Sequence, residues 1–214
     1  MDVMPSPEDA DGTGEAPFTL PSAFEEYLND LTGVQYVMPP ALEAFYDLYA
    51  KAHLRYAHTM LGDKAAAKAV VRRCYSHLAL NWANVLKAES PEAYAFRLLK
   101  QRVETHLCLT GAGSSQMVQT AAFQHAARAT LDAMRCQFEV MESALGLYTA
   151  IASLPERQYD VIVLHYVLGY RSSRIANIMG IKPDTVRSHR RLARERIATK
   201  LGLSLNPAAD EEKE

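Results

Sequence analysis

Apolar residues in this chain recur in steps of three and four, and nowhere do they alternate with polar ones over the length of a strand. Three-and-four spacing lines up one face of a helix, whereas a half-buried strand needs period two, so the pattern predicts an all-α fold. Leu42, Phe45, Tyr49, Tyr56 and Met60 mark a first helix from Pro40, stopped by Gly62. A second is predicted over residues 64–86, burying Val71, Cys74, Leu78 and Trp82. A third opens at Ser90 with Pro91 in its first position, where a missing N–H costs nothing, and buries Phe96, Leu99, Val103 and Leu107. The Gly-Ala-Gly-Ser-Ser run at 111–115 breaks the chain and marks a domain boundary. Beyond it Phe123, Ala127, Leu131, Met134, Phe138, Met141 and Leu145 form one apolar stripe. That stripe predicts a long helix that packs on its own domain or receives a partner.

Residues 154–197 read LPERQYDVIVLHYVLGYRSSRIANIMGIKPDTVRSHRRLARERI. One helix is expected over 156–168 and is ended by Gly169; Ser172 is placed to cap a short helix through Met179. Gly180 then turns the chain before a helix starting near Pro183 and Asp184. Two short helices around a tight glycine turn make a helix-turn-helix, with Ala176 small at the crossing and Val186 as the apolar plug. Val186, His189, Ala193 and Ile197 share the inner face of the second helix, which leaves Asp184, Arg187, Ser188 and Arg191 together on the outer one. Arginine bonds guanine edges bidentately in a groove that admits one helix, so this face suits base readout. Lys182, Arg174, Arg190, Arg194 and Arg196 flank it as phosphate contacts. The plain alternative is a helical hairpin with a solvated basic face.

Charge agrees with the first reading. The formal net charge is only -2, but residues 155–200 hold ten Lys or Arg against Glu156, Asp160, Asp184 and Glu195. Residues 1–30 carry eight acids and no Lys or Arg, and residues 203–214 end in Asp210, Glu211, Glu212, Lys213 and Glu214. A basic module between acidic ends suits a polyanionic partner.

The 154–197 segment resembles domain 4 of bacterial sigma-70 family initiation factors of the extracytoplasmic-function (ECF) type, through LPERQ, IA, MGI, TVRS and RLARERI. The resemblance implies binding of the -35 promoter element by Lys182, Asp184, Thr185, Arg187, Ser188, Arg190, Arg191 and Arg194. FYDLYAKAHLRYAHTMLGD, followed by SPEAYAFRLLKQRVETHL, resembles domain 2 of the same family, which binds RNA polymerase and melts the -10 element. It implies -10 contacts by Tyr94, Arg97, Lys100 and Gln101. Stacking on an aromatic is what a base leaving a duplex needs. Phe96 fits that role and also fits the apolar stripe, so it reads as base-stacking or as core. Lys64, Lys68, Arg72 and Arg73 stand where the family presents carboxylates to the basic polymerase clamp, a reversal of charge at a polymerase-facing surface. Arg174 likewise replaces the acid that usually precedes IA.

The expected organisation is an acidic, largely disordered segment 1–30, a sigma domain 2-like domain 38–109 and a linker 110–145 with an amphipathic helix. A domain 4-like helix-turn-helix over 146–202 and an acidic tail 203–214 follow. Implied partners are promoter DNA, the β′ clamp and β flap of core RNA polymerase and, as a further candidate, an anti-sigma factor. Cys74-x-x-His77 is the only pair with zinc-like spacing and has no second pair to complete four ligands, so no metal or cofactor is expected. Gly-rich phosphate loops, nucleophile elbows and His-Glu-x-x-His are missing, so the chain reads as a binding protein, not an enzyme. The odd cysteine count, the polar N-terminus and the lack of a run near the roughly 20 apolar residues of a membrane span predict a cytoplasmic protein.

Overall fold

The computed structural model of the chain describes residues 29–30, 33, 36–111 and 149–202. All regular structure among them is helical, as the periodicity requires. Contacts divide the chain into Met1–Glu43 and Ala44–Glu214. In the first unit Gly33 takes a left-handed turn, with its N–H on the Asn29 carbonyl at 2.8 Å. The amphipathic stripe of 123–145, residues 1–28 of the acidic N-terminal segment and the acidic tail 203–214 lie outside the described residues.

Helix α1 spans Pro40–Leu61 and stops at left-handed Gly62, as its spacing indicates. Helix α2, Lys64–Leu80, starts where the Asp63 carboxylate accepts the Ala65 N–H at 2.8 Å. The expected single helix to residue 86 is broken at Asn81, whose side-chain amide donates to the His77 carbonyl at 2.9 Å. The chain restarts as a single turn, α3, Trp82–Val85. Helix α4, Pro91–Leu109, has Pro91 in its first turn and Ser90 as its cap, accepting from Ala93 N–H at 3.1 Å. Val70, Val71, Cys74 and Leu78 of α2 meet Ala95, Phe96, Leu99 and Val103 of α4 in a dry core. Aromatics of α1 close it: Phe45 lies edge-on to Trp82 at 5.4 Å, Tyr46 to Tyr75 at 4.8 Å and Tyr56 to Phe96 at 5.0 Å. Phe96 is therefore core.

After a short helical segment at 149–152, α5 spans Glu156–Ile162. The expected helix to residue 168 changes type instead. Val163–Val167 form a π-helical turn, in which Leu168 N–H reaches back five residues to the Val163 carbonyl at 3.1 Å. Gly169, at φ 69°, ends it. Helix α6 spans Ser172–Met179, so Ser172 is its first residue rather than its cap, and extended Arg171 takes the cap position. Gly180 follows at φ 63°, ψ 41°, and α7 runs Pro183–Lys200. Val186, Ala193 and Ile197 are fully buried against α5 and α6.

Within the second unit α6 lies directly on α4. A Cβ on Gly180 would stand 2.6 Å from the Ala93 backbone N and 2.3 Å from Ser90 Oγ, so this glycine meets both a left-handed turn and a close approach. Asp160 of α5, 1% exposed at its side chain, accepts from Tyr56 Oη at 2.9 Å and from Lys100 Nζ at 2.8 Å. Lys100 also bonds Glu156. Arg174 donates to the Leu48 carbonyl and lies over the Tyr49 ring, while Arg55 covers the Tyr170 ring at 5.3 Å. These side chains form a polar seam between α1 and α4 on one side and α5 and α6 on the other.

Candidate nucleic-acid interface

Helix α7 begins at Pro183 because proline's fixed φ suits a first turn, and the left-handed Gly180 two residues before Lys182 aims it away from α6. Its plug, Val186, is fully buried, which turns the opposite side of the first two turns to solvent. Lys182, Asp184, Arg187, Ser188 and Arg191 are exposed there together, and Thr185 is half-buried at their edge. Arg187 pairs with Asp184 one turn back, and Arg191 with Glu195 at 2.6 Å one turn on. Pairs this exposed are weak and exchange readily, so both guanidiniums are presented in fixed places while remaining open to a stronger acceptor.

The flanking cations divide differently from expectation. Arg194 is buried beside Tyr166, at 7% exposure, and does not share the outer face. Position 194 lies eight residues after Val186 and three before Ile197, which puts it on the widened inner stripe. Arg196 bonds the Gln158 side-chain carbonyl at 2.8 Å, and Arg174 belongs to the seam. Arg190 is half-buried, with its guanidinium on His165 Nε2 at 3.3 Å. His165 Nδ1 faces the Tyr170 carbonyl at 2.9 Å. A carbonyl only accepts, so Nδ1 carries the proton and Nε2 accepts from Arg190. Burial holds the His165 pKa below its ordinary value, which keeps the ring in that neutral form.

On α4, Tyr94, Arg97 and Gln101 share an outward face. Tyr94 Oη meets His77 Nε2 at 3.1 Å, and the Arg97 guanidinium sits 5.7 Å from the Tyr94 ring centre. Lys100 points elsewhere, into the seam with Asp160, and is not brought together with these three. Lys64, Lys68, Arg72 and Arg73 are all exposed on α2, the first three in line at four-residue steps. Cys74 is core: burial pushes its thiol up to about 12, and its Sγ lies 3.9 Å from the Ala95 carbonyl. No described helix is long and apolar enough to cross a membrane.

Sequence reasoning missed the role of Asp160, Tyr56 and His165. Only the apolar stripe around Lys100, four residues after Phe96 and three before Val103, signals that its stem is partly buried.

Residues 144–197, about a quarter of the chain, match the family model described as Sigma-70, region 4. The match spans α5, the π turn, α6 and most of α7. No curated protein matches the chain.

Proposed function

Starting from a helix-turn-helix that matches sigma-70 region 4, we propose that this chain is a sigma-like transcription initiation factor, akin to the ECF type, that recruits core RNA polymerase to promoters. Helix α7 lies in the major groove of the -35 element, where Arg187, Ser188 and Arg191 meet base edges while Lys182 and Arg190 meet phosphates. The domain 2-like half supplies Tyr94, Arg97 and Gln101 to the -10 strand and α2 to the polymerase clamp, and the helix-turn-helix half docks on the β flap. An anti-sigma factor is a further partner, and the site of action is the cytoplasm. The chain acts by binding, not by catalysis.

The carrying observation is the outer face of α7: two arginines and a serine exposed at helical spacing behind a left-handed glycine turn, within the matched span. The test is transcription from a library of promoter sequences with core polymerase, with and without the chain. Promoter-dependent transcripts support initiation, and their absence alongside duplex binding refutes it.

A second reading is a sigma-derived regulator that binds DNA or a protein without supporting initiation. Two observations favour it. Helix α2 contains no acidic residue and carries Lys64, Lys68, Arg72 and Arg73 on its exposed side. Lys100 is committed to Asp160 rather than to a nucleic-acid strand.

A further inference from the structure

Helix α2 carries a charge pattern that works against its own stability. Its first turn holds Lys64 and no acid, although the positive end of the helix dipole disfavours a cation there. Lys64 with Lys68, and Lys68 with Arg72, are like-charge pairs at four-residue spacing, which repel on a helix surface. The helix sequence, KAAAKAVVRRCYSHLAL, supplies no carboxylate of its own to offset them. Folding does not call for the row, because the inner side of the helix is complete without it: Val70, Val71, Cys74 and Leu78 are at most 1% exposed. A costly pattern confined to the outer side points to something that the outer side binds.

The exposed residues of α2 are Lys64, Ala65, Lys68, Arg72, Arg73 and Leu80. They include no aromatic ring on which a base could stack and no amide to read its edge. Lys64, Lys68 and Arg72 rise about 6 Å per step along the axis, and any partner helix has the same rise over four residues, so carboxylates at that spacing meet the cations one to one. A DNA strand presents one phosphate per about 3.4 Å of axis and does not share the repeat. Ala65 and Ala69, beside the row, are too short to hold a partner backbone at a distance, and Leu80, 56% exposed, offers an apolar contact at the far end. Arg72 and Arg73 add two planar forks that match carboxylates bidentately.

We infer that the exposed face of α2 is a docking surface for an acidic helix of a separate protein, with Lys64, Lys68 and Arg72 each meeting one carboxylate at four-residue spacing and Arg73 meeting a fourth on the far side. The inference rests on the second reading above and deepens it, since it gives the chemistry of the protein partner which that reading leaves open. A basic surface is repelled by the same row, so the face selects its partner by the sign of charge.

The experiment uses the full chain and a helical alanine-based peptide of about 20 residues with glutamate at every fourth position. Binding is followed by amide NMR in about 0.1 M salt, where exposed charges more than about 10 Å apart are screened from one another. Shifts are expected at Ala65 and Ala69. Changing Lys64, Lys68 and Arg72 together to Gln should weaken binding about tenfold, a factor of about two for each exposed pair, with helical circular dichroism unaltered. Lys68→Arg with Arg72→Lys keeps the charges and should keep the affinity. Lys51→Gln with Lys87→Gln, exposed charge losses elsewhere, should leave it unchanged. Equal binding of a peptide of the same composition with its glutamates spread around the helix would overturn the docking row in favour of diffuse attraction. No peptide binding by a wild type that binds duplex DNA overturns the acidic-helix surface and leaves the DNA-binding regulator intact. A duplex that shifts Ala65 and Ala69 and displaces the peptide overturns it in favour of nucleic acid. Retention of core polymerase by the wild type, lost in the triple Gln variant, overturns both the surface and the regulator reading, because α2 would then face the polymerase.

Discussion

Lys100 and Arg187 are both long cations on amphipathic helices, and their fates are opposite. Lys100 keeps 15% of its side-chain surface and reaches a carboxylate sixty residues further along the chain; Arg187 keeps 45% and pairs with Asp184 in its own turn. Burial makes the difference. In the seam, Asp160 has no water to fall back on, so each partner depends on the other. On the outer face of α7 each charge is already solvated and its local pair is optional. The seam therefore contributes to holding the fold, and the outer face is left for a ligand.

The largest effect should come from breaking the seam on one side. Lys100→Met leaves Asp160 buried with only Tyr56 as donor, and an uncompensated buried charge costs about 3–5 kcal/mol, read as a lower urea midpoint. Adding Asp160→Leu should return most of that stability. An unchanged midpoint in the single variant would mean that the seam is open in solution, and the contrast with Arg187 would collapse.

Gly180 and Gly169 offer a second comparison. Both are left-handed, but only Gly180 is crowded, by the Ala93 backbone. Gly180→Ala should cost about 2–4 kcal/mol, from backbone strain and displaced packing together, and Gly169→Ala only about 1 kcal/mol. Equal costs in chemical denaturation would place α6 away from α4.

Much of this was legible from local signals. Pro40 and Gly62, Ser90 with Pro91, and Gly180 before Pro183 each act within a turn or two of themselves, and the helices begin and end there. What escaped was either a competition or a long reach. Asn81 competes for a helical carbonyl, and the π turn at 163–167 adds one residue to a winding that an apolar pattern of Val, Ile and Leu cannot register. The site divided in the same way. Arg187, Ser188 and Arg191 followed from the period of a single helix, whereas the diversion of Lys100 and Arg174 depends on partners in distant segments.

His53 sharpens the contrast by pH. Burial, with the Arg174 charge as a smaller cause, lowers its pKa to about 3. The folded pKa is depressed for a base, so the unfolded chain binds the extra proton as pH drops below about 6.5. Stability is therefore full above that value and falls as pH declines towards 3, by about 1.4 kcal/mol per unit, or about 2 kcal/mol by pH 5. Thermal melts of His53→Gln between pH 7 and 5 should be flatter than wild type.

The smallest expected changes belong to the outer face. Arg187→Ala and Arg191→Ala should leave melting unaltered and each weaken binding to a preferred duplex by about 1–2 kcal/mol while relaxing sequence choice. Arg194→Ala should do the reverse, lowering stability first, because its guanidinium is packed beside Tyr166. Sequence-independent loss from all three would place the reading face elsewhere.

The seam also sets an arithmetic of availability. Promoter elements centred near -35 and -10 stand about 25 base pairs apart, roughly 85 Å along B-DNA at 3.4 Å per step. Tyr56 and Lys100 each meet Asp160 within 3 Å, so under the proposed sigma-like function a molecule closed on that seam would reach one element at a time. If closure is favoured by about 3 kcal/mol, roughly one molecule in 150 is apart at any instant, and the apparent affinity for any target that demands both halves is diluted by that fraction. A ligand of the α7 face alone escapes the dilution. Under that proposed function, whatever binds Asp160 or Lys100 in place of its partner would act as a gain control on the two-element mode and leave the one-element mode at full strength.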